Sequence, residues 1–511
     1  LKDGSATAIY GSQASNGVIM ITTKKGKAGR QNFNYSAVFG FSKPLNRFDL
    51  LNAQEFVTIA NAKLSAASLA NGAFMNSENT DTDWQDVVFR PTSSASTHNL
   101  SLDGGNDRTT YFLSFNYRYQ EGLVKTNTTE NYNIRANIEH KVNKWLKVMN
   151  YITLARAFNK DQNNGGNALS GSIAASLRAL PNVRVFNPSL PQFDFYNITP
   201  DGAALGSDAN TRLIENNYVN IGYVLAKNKF RSKQHRVINT FALEIKPTSW
   251  LTNTVKFGID YLTLDEFFRQ DAKHGDGRSV LGRVSNQAAN TLRWTGQEYI
   301  NANKTFGKHT VNVTVGIEAQ KQESNSFSAS GTNVADAFFQ QQNVISGSYV
   351  TQLSGGGYSQ GPGIFSYFGR LNYDYKGRYF LQASFRRDGL SRFEKENRFG
   401  TFPGGSIGWR VSQEDFWAAA GLDKVVSDFK IRASWAKVGN ASITGGLFPY
   451  LNLYGLRPYG AISGIAASQS GNSNLQWETN EKIDIGFDLS FWKDRITFVF
   501  DYFKNKNNGL V

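Results

Sequence analysis

Gly404-Gly405-Ser406-Ile407-Gly408 fits the G-x-S-x-G pattern that presents a serine nucleophile. That pattern works only at a strand–turn–helix corner with His and acid partners. Here Ile407, Trp409 and Val411 alternate with Ser406, Gly408 and Arg410, so the period is that of a strand and the serine lies on its polar face. A second group is acidic: Asn79, Asp81, Asp83 and Asp86. An EF-hand loop needs Gly at its sixth position and Glu at its twelfth. Counted from Asn79, those places hold Trp84 and Arg90. A polar loop anchored by Trp84 is the preferred reading, and a non-EF calcium site is the one cofactor the cluster leaves open. The five histidines, at 98, 140, 235, 274 and 309, show no ligand spacing. His274, with Asp271 and Asp276, is expected in a solvated loop. Gly355–Gly363 is glycine-rich but carries no phosphate-loop lysine, which predicts a flexible loop. No catalytic residue, cofactor-binding residue or metal ligand is assigned, and an enzyme is not expected.

The elements that hold these residues are strands. In YFLSFNYRY, residues Tyr111, Leu113, Phe115, Tyr117 and Tyr119 share one face, with Ser114, Asn116 and Arg118 on the other. KIDIGFDLSF sets Ile483, Ile485, Phe487, Leu489 and Phe491 against Lys482, Asp484, Gly486, Asp488 and Ser490. RITFVFDYF and FKIRASWAK repeat the pattern. The 37 Phe, 22 Tyr and 9 Trp favour strands, and the abundant Asn and Gly favour the turns between them. Cysteine is absent, which excludes a disulfide scaffold and a Cys-based zinc site. The net charge of +14 is scattered, with no basic helix or cluster, so nucleic acid is not an expected partner.

Strand length and loop order narrow the class. The strands run to roughly ten residues or more, the length at which a tilted strand crosses a bilayer. Tight turns fall near Gly104–Asn106, Asn143–Lys144, Pro247–Thr248, Gly307–Lys308, Lys376–Gly377 and Lys493–Asp494, with a looser one near 413–427. Longer Gly/Asn/Ser-rich segments fall between them, near 43–95, 158–229, 271–294, 325–363 and 439–474, and shorter ones near 121–128 and 390–401. Short and long connections alternate, as they do in a barrel with periplasmic turns and external loops. Trp145, Trp250 and Trp492 sit beside tight turns, where an aromatic girdle meets the lipid–water boundary. LLNAQEFVTIANAKL, residues 50–64, breaks the pattern. Asn52 and Glu55 have capping-box spacing, and Phe56, Ile59, Ala60 and Leu64 have helical spacing, which predicts a short helix in the first long loop.

The opening residues supply a resemblance. Lys2-Asp3, Ser5-Ala6-Thr7-Ala8-Ile9-Tyr10-Gly11-Ser12 and Asn16-Gly17-Val18-Ile19 resemble the plug signature of the SusC/RagA family of TonB-dependent outer-membrane transporters of Bacteroidetes. Gly4 stands where alanine is usual, and Gln13-Ala14-Ser15 where arginine, glycine and alanine are usual. DTDWQDVVFR at 81–90, HNLSLDGGNDRTTYFLSFNYRYQEG at 98–122 and RLNYDYKGRYFLQASFRRDGLSRF at 370–393 are similar to family segments in the same order. So are FPGGSIGWRVSQEDFW at 402–417, IRASWAKVGN at 431–440 and LQWETNEKIDIGFDLSFWKDRITFVFDYF at 475–503.

The resemblance implies an all-β fold: a transmembrane antiparallel barrel preceded by the C-terminal end of a plug. Residues 1–30 are the expected plug end, with Asp3, Ala8, Tyr10, Gly11, Asn16 and Gly17 as its structural signature. Residues 31–511 are the expected barrel, incomplete at roughly 15 of about 22 strands. The implied function is TonB-dependent import of an oligosaccharide or peptide across the outer membrane. The implied partners are a SusD-like surface lipoprotein, the TonB complex and outer-membrane lipid. Tyr358, Phe365, Tyr450, Tyr454 and Tyr459 are the candidate substrate contacts. A passive porin or a surface adhesin barrel is the rival, and a plug remnant argues against both. A chain of this extent leaves open sheet edges, which lipid does not tolerate. Alone, it should not form a closed, heat-resistant barrel, and a folded band shifted on semi-native gels would overturn that expectation.

Overall fold

Alternating apolar and polar side chains drive long strands, because each face of the pleat then meets one kind of surroundings. The computed structural model describes residues 11, 12, 14, 15, 17–161, 171–334, 344, 348–441, 446–460 and 462–509. Its strands begin with β1 (Gln31–Ser42), β2 (Ser93–Gly105), β3 (Thr109–Glu121), β4 (Thr128–Lys141), β5 (Leu146–Asp161) and β6 (Lys229–Thr248). They continue with β7 (Leu251–Gln270), β8 (Arg283–Phe306), β9 (His309–Val334), β10 (Tyr349–Gln360), β11 (Ile364–Tyr375) and β12 (Tyr379–Leu390). The last are β13 (Phe399–Arg410), β14 (Val426–Asn440), β15 (Leu453–Leu456), β16 (Ile465–Gln469), β17 (Glu478–Phe491) and β18 (Ile496–Asn508). Sixteen of them form one sheet in chain order, with neighbours antiparallel and β10 attached only to β9; β15 and β16 make a separate hairpin. Among the described residues, β1 and β18 each have one partner strand, so the wall is a partial barrel.

The tight turns all lie at one end of the wall, and the longer segments at the other. Three expectations are corrected at the long-loop end. Residues 283–294 and 325–334 belong to β8 and β9, and residues 349–360 form β10 rather than a flexible loop. β10 is the strand missing from the count of roughly 15. The reason is that β8 and β9, at 24 and 26 residues, are far longer than a bilayer crossing requires. Their upper halves extend beyond that length, carry Ser, Asn, Gln and Gly, and lose the continuous apolar row that marks a lipid-facing strand. β9 pairs with β11 along His309–Gln320 and with β10 along Glu323–Val334.

Exposure identifies the solvent on each face. Leu113, Phe115, Ile134, Phe241, Phe257, Ile483 and Ile485 are exposed, while Asn137, Ser384, Arg386 and Lys482 on the opposite face are buried. A water-soluble sheet would bury the first set; a wall facing hydrocarbon presents it. Trp145, Trp250 and Trp492 are exposed beside the short turns, and Lys304 lies 5.4 Å over the Trp250 ring. Such rings belong at the lipid–water boundary.

The long loops fold into a cap. The first carries the helix Ala53–Ala66, whose capping box is complete: Asn52 Oδ1 accepts from the Glu55 amide at 2.9 Å, and Glu55 Oε2 from the Asn52 amide at 3.0 Å. Trp84, Val88, Leu180, Val183, Leu205, Ile221 and Val224 pack into an apolar core shared by the first loop and by residues between β5 and β6.

His274 is fully buried in this cap, which corrects its assignment to a solvated loop. Its Nε2 accepts from the Asn220 amide at 2.8 Å, so Nδ1 carries the proton and donates to the Gly202 carbonyl at 2.9 Å. Burial pushes its pKa down, and the Arg278 charge adds to that, against the Gly202 hydrogen bond and the Asp271 carboxylate. The folded cap therefore keeps a neutral ring, while the unfolded loop protonates below about pH 6.5. Cap stability is full above that pH and falls as pH drops through it. Hydrogen exchange at the Asn220 amide should show faster cap opening at about pH 5.5 than at pH 7.5 after correction for intrinsic rates. His274→Gln should flatten the dependence; an unchanged pH profile in that variant would remove His274 as its origin.

Candidate functional site in the lumen and external mouth

Lumen-facing side chains are polar because alternate positions of every strand point away from lipid. Arg236 donates to both oxygens of Asp260, at 2.7 and 2.6 Å, across β6 and β7. Arg432 on β14 reaches Asp484 at 3.2 Å, Asp488 at 3.4 Å and Asp501 at 2.5 Å on β17 and β18. Asn301, Asn312 and Asn372 link β8, β9 and β11 at 3.3–3.4 Å. Ser406, the serine of the G-x-S-x-G pattern, stands in β13 between Gln382 and Ser434, which is strand geometry and not a nucleophile elbow.

The stretch before β1 crosses this lumen and is held at both ends. Near the long-loop end, the Ser12 amide donates to Asp388 Oδ2 at 2.8 Å, the Ala441 amide to Ser12 O at 2.9 Å, and Lys482 Nζ to Ser15 O at 2.9 Å. Asp388 is fully buried and takes Arg386 Nε at 2.6 Å. Arg386 also donates to Glu318 at 3.0 Å and to Ser366 Oγ at 2.9 Å, and stacks over Phe368. A buried guanidinium with several acceptors is held rigidly, and removing one carboxylate strands a charge. Gly11, at φ +55°, fits against this group: a Cβ there would lie 2.4 Å from Asp388 Oδ2 and 2.5 Å from Arg386 Cδ. Near the short-turn end, Asn137 Nδ2 donates to Lys24 O at 2.8 Å. Lys25 Nζ pairs with Glu139 at 2.7 Å, and Glu139 also binds Lys147 and the Tyr151 hydroxyl.

The sequence-derived candidates are scattered. Asp3, Ala8, Tyr10 and Asn16 lie outside the described residues. Gly11 sits in the Arg386–Asp388 cradle, and the Gly17 amide donates to Ala14 O at 3.0 Å. Phe365 packs edge-on against Tyr367 at 5.0 Å on the outward face of β11. Tyr358 stands opposite Asn325, on the side of the β9–β10 ribbon that continues the outer wall. Tyr450 is half-buried beside Phe448, while Tyr454 and Tyr459 are 71% and 87% exposed on the loop between β14 and β17. Arg392 donates to the carbonyls of Ala441 and Gly446 at the start of that loop, and the Ala441 amide in turn holds Ser12 O in the stretch before β1.

Sequence reasoning missed Glu318, Arg386 and Asp388. A signal was present: Ser384, Arg386 and Asp388 place three polar side chains, two of them charged, on one strand face. The acidic group of the first loop is used structurally. Asp81 Oδ1 accepts from the Ala53 amide at 2.9 Å, Asp83 caps the helix Trp84–Val88, and Asp83 and Asp86 both pair with Arg47. Beside them lies a cleft of about 440 Å³ lined by Phe48, Phe56, Trp84 and Arg178 among others.

Comparison with known proteins fits this geometry. Residues 182–511 match the family model described as TonB dependent receptor-like, beta-barrel. A TonB-dependent receptor of Formosa agariphila is 29% identical over 525 residues, covering 100% of this chain and 49% of that protein. The TonB-dependent receptor SusC of Bacteroides thetaiotaomicron is 30% identical over 556 residues, covering 100% of this chain and 50% of that protein. The chain thus spans about half the length of these relatives. The RagAB peptide transporter superposes with a TM-score of 0.81 at 22% identity, over 99% of this chain and 58% of that one. A lipid-facing wall, a polar lumen and an internal segment lashed across it meet in one protein: the chain belongs to the TonB-dependent receptor-like β-barrel family and resides in the outer membrane.

Proposed function

We propose that this chain forms the wall and the plug end of an energy-driven importer, which takes up an oligosaccharide or a peptide with a SusD-like surface lipoprotein. The observation that carries this reading is the segment from Gly11 to Lys25, anchored to the wall at both ends. A passive pore gains nothing from an obstruction tied to buried charges. A gated importer needs one, because the lumen must stay shut until work is done on it, and TonB is the proposed source of that work. The polar lumen offers hydrogen-bond donors and acceptors to a hydrated solute. Tyr450, Tyr454 and Tyr459 at the external mouth are the rings we propose for stacking on a sugar or a peptide side chain. Phe365 and Tyr358 face outward and are left out of the path.

A panel of oligosaccharides and peptides, offered to cells carrying the complete protein with its lipoprotein, tests this directly. Uptake of one class should cease when a protonophore collapses the inner-membrane gradient. Uptake that continues undiminished would establish a passive pore instead.

The anchor makes a separate prediction. Gly11→Ala adds a Cβ where Asp388 and Arg386 leave no room, at a φ that non-glycine residues adopt at a cost of about 1–3 kcal/mol. Asp388→Ala removes a buried charge partner at a cost of about 3–5 kcal/mol. Both should loosen the plug end, with Asp388→Ala the more severe, read as raised single-channel conductance in planar bilayers. Closed channels in both variants would mean that this contact does not hold the lumen shut.

A further inference from the structure

Above the apolar band, the outer face of β5 and β6 becomes cationic. Counting in steps of two from the exposed Leu154 places Arg156, Phe158 and Lys160 on the outward side of β5. The same count on β6 runs from the exposed Phe241 through Val237 to Lys233, Arg231 and Lys229. The register agrees, with Leu154 opposite Val237, Phe158 opposite Lys233 and Lys160 opposite Arg231. Nine steps separate Trp145, at the short-turn rim, from Leu154. At about 3.3 Å per residue and a tilt of about 40°, that is roughly 23 Å, close to an apolar band of about 25 Å. Arg156 therefore stands at the upper lipid boundary. Lys233, Lys160, Arg231 and Lys229 climb above it over roughly a further 20 Å.

Among the described residues, no carboxylate lies within ion-pair distance of Arg156, Lys160, Lys229, Arg231 or Lys233. Lys160 lies over the Phe158 ring at 5.8 Å, and Arg231 over the Phe267 ring at 4.5 Å. The acids nearby are engaged or apart: Glu130 accepts from the Tyr132 hydroxyl at 2.6 Å, and Asp265 opposes Lys233 in register without pairing to it. Lys227 and Arg269, paired with Asp194 and Asp271, add like charge beside Lys229. Charges of one sign repel, so this face is stabilised when an anion joins it. Lys160, Lys229 and Arg231 line a cleft of about 340 Å³ with Thr126 and Asn228. Asp161, the one carboxylate among the lining residues, belongs by parity to the other side of β5. A neighbouring cleft of about 430 Å³ shares Thr126, Leu225 and Ala226 and adds the rings of Phe186 and Tyr196. Phe186 is exposed and packs against Tyr196 at 4.8 Å.

We propose that this groove holds the phosphorylated sugar headgroup of a glycolipid in the outer leaflet. Lys160, Lys229 and Arg231 take a phosphate through charge-assisted hydrogen bonds, and Phe186 offers its face to a sugar ring. Arg156 and Lys233 extend the positive charge down to the acyl boundary, where a lipid-linked phosphate sits. Side and height select the source. The cations face outward, and acyl chains deliver a headgroup to that side of the wall. A phospholipid headgroup layer is about 5–8 Å deep, whereas the cations climb roughly 20 Å, which suits a taller, sugar-bearing headgroup. The inference concerns the wall in its membrane and does not depend on what is transported.

The test uses the complete protein in phosphatidylcholine nanodiscs that also contain a bisphosphorylated diglucosamine lipid or its dephosphorylated form. Native mass spectrometry after release into mild detergent counts the glycolipid retained. The phosphorylated lipid should be retained by the wild type. Retention should fall at least about tenfold when Lys160→Gln, Lys229→Gln and Arg231→Gln are combined. Lys141→Gln, Lys246→Gln and Lys304→Gln, combined at the short-turn rim, should leave it unchanged. A charge-preserving set, Lys160→Arg, Lys229→Arg and Arg231→Lys, guards against misfolding and should bind as the wild type does. Equal retention of the dephosphorylated lipid, undiminished retention in the first set, or equal loss in the rim or charge-preserving set would each overturn the proposal. Soluble glucosamine 6-phosphate separates the two sources of such a headgroup. In large excess it should leave the lipid in place; full displacement would make the groove a site for soluble anionic sugars and overturn the lipid assignment.

Discussion

Hydrocarbon supplies no hydrogen-bond partner, so every backbone N–H and C=O at membrane depth must be bonded inside the wall. A continuous antiparallel sheet meets that demand, and the rest of this structure follows from it. One face of each strand must be apolar over about 9–11 residues. The other face is free to be polar, and Arg, Asp, Asn and Ser occupy it. Where strands rise beyond the membrane the demand lapses, and β8, β9 and β10 continue as a polar ribbon paired through Glu323–Val334.

Charges buried inside the wall are costly unless they are paired, and the pairing of Asp388 with Arg386 doubles as a fastening. Arg386 holds Asp388 and Glu318, yet Asp388 keeps one oxygen for the Ser12 amide. The wall thus binds the stretch before β1 through backbone groups, which any residue at position 12 except proline would supply. Specificity is moved to Gly11, where only a missing side chain fits.

The legible part of this fold was the part where membrane and sequence impose the same period. Tyr111–Tyr119 and Ile483–Phe491 announced their strands and faces, and Gly307 and Lys376-Gly377 announced their turns. The ribbon was hidden because residues 349–360 have no lipid-facing row to produce a period. His274 was misplaced because its burial comes from Gly202 and Asn220, distant in sequence and brought near only when two loops pack. The anchor of the stretch before β1 was invisible for the same reason: Ser12 and Asp388 are 376 residues apart. Local pattern reports the solvent a strand faces, and it is silent on which distant loop or segment shares that surface.

The anchor at Ser12 is mechanically coupled to the long loops. Asp388 stands two residues before the end of β12, and Leu390 at that end packs with Phe393 and Leu475 beneath the long loops. Arg392 then grips Ala441, whose own amide holds Ser12, and Gly446, on the same loop that bears Tyr450, Tyr454 and Tyr459. The loop between β14 and β17 and the stretch before β1 therefore share one set of hydrogen bonds over a short stretch of wall. Displacing the stretch before β1 would break the bonds from Asp388, Ala441 and Lys482 together, and shifting the loop would strain the same Ala441 contact. Packed, hydrogen-bonded groups of this kind rearrange between discrete states rather than deform smoothly, so the stretch before β1 and the loop that carries Ala441 are expected to shift together.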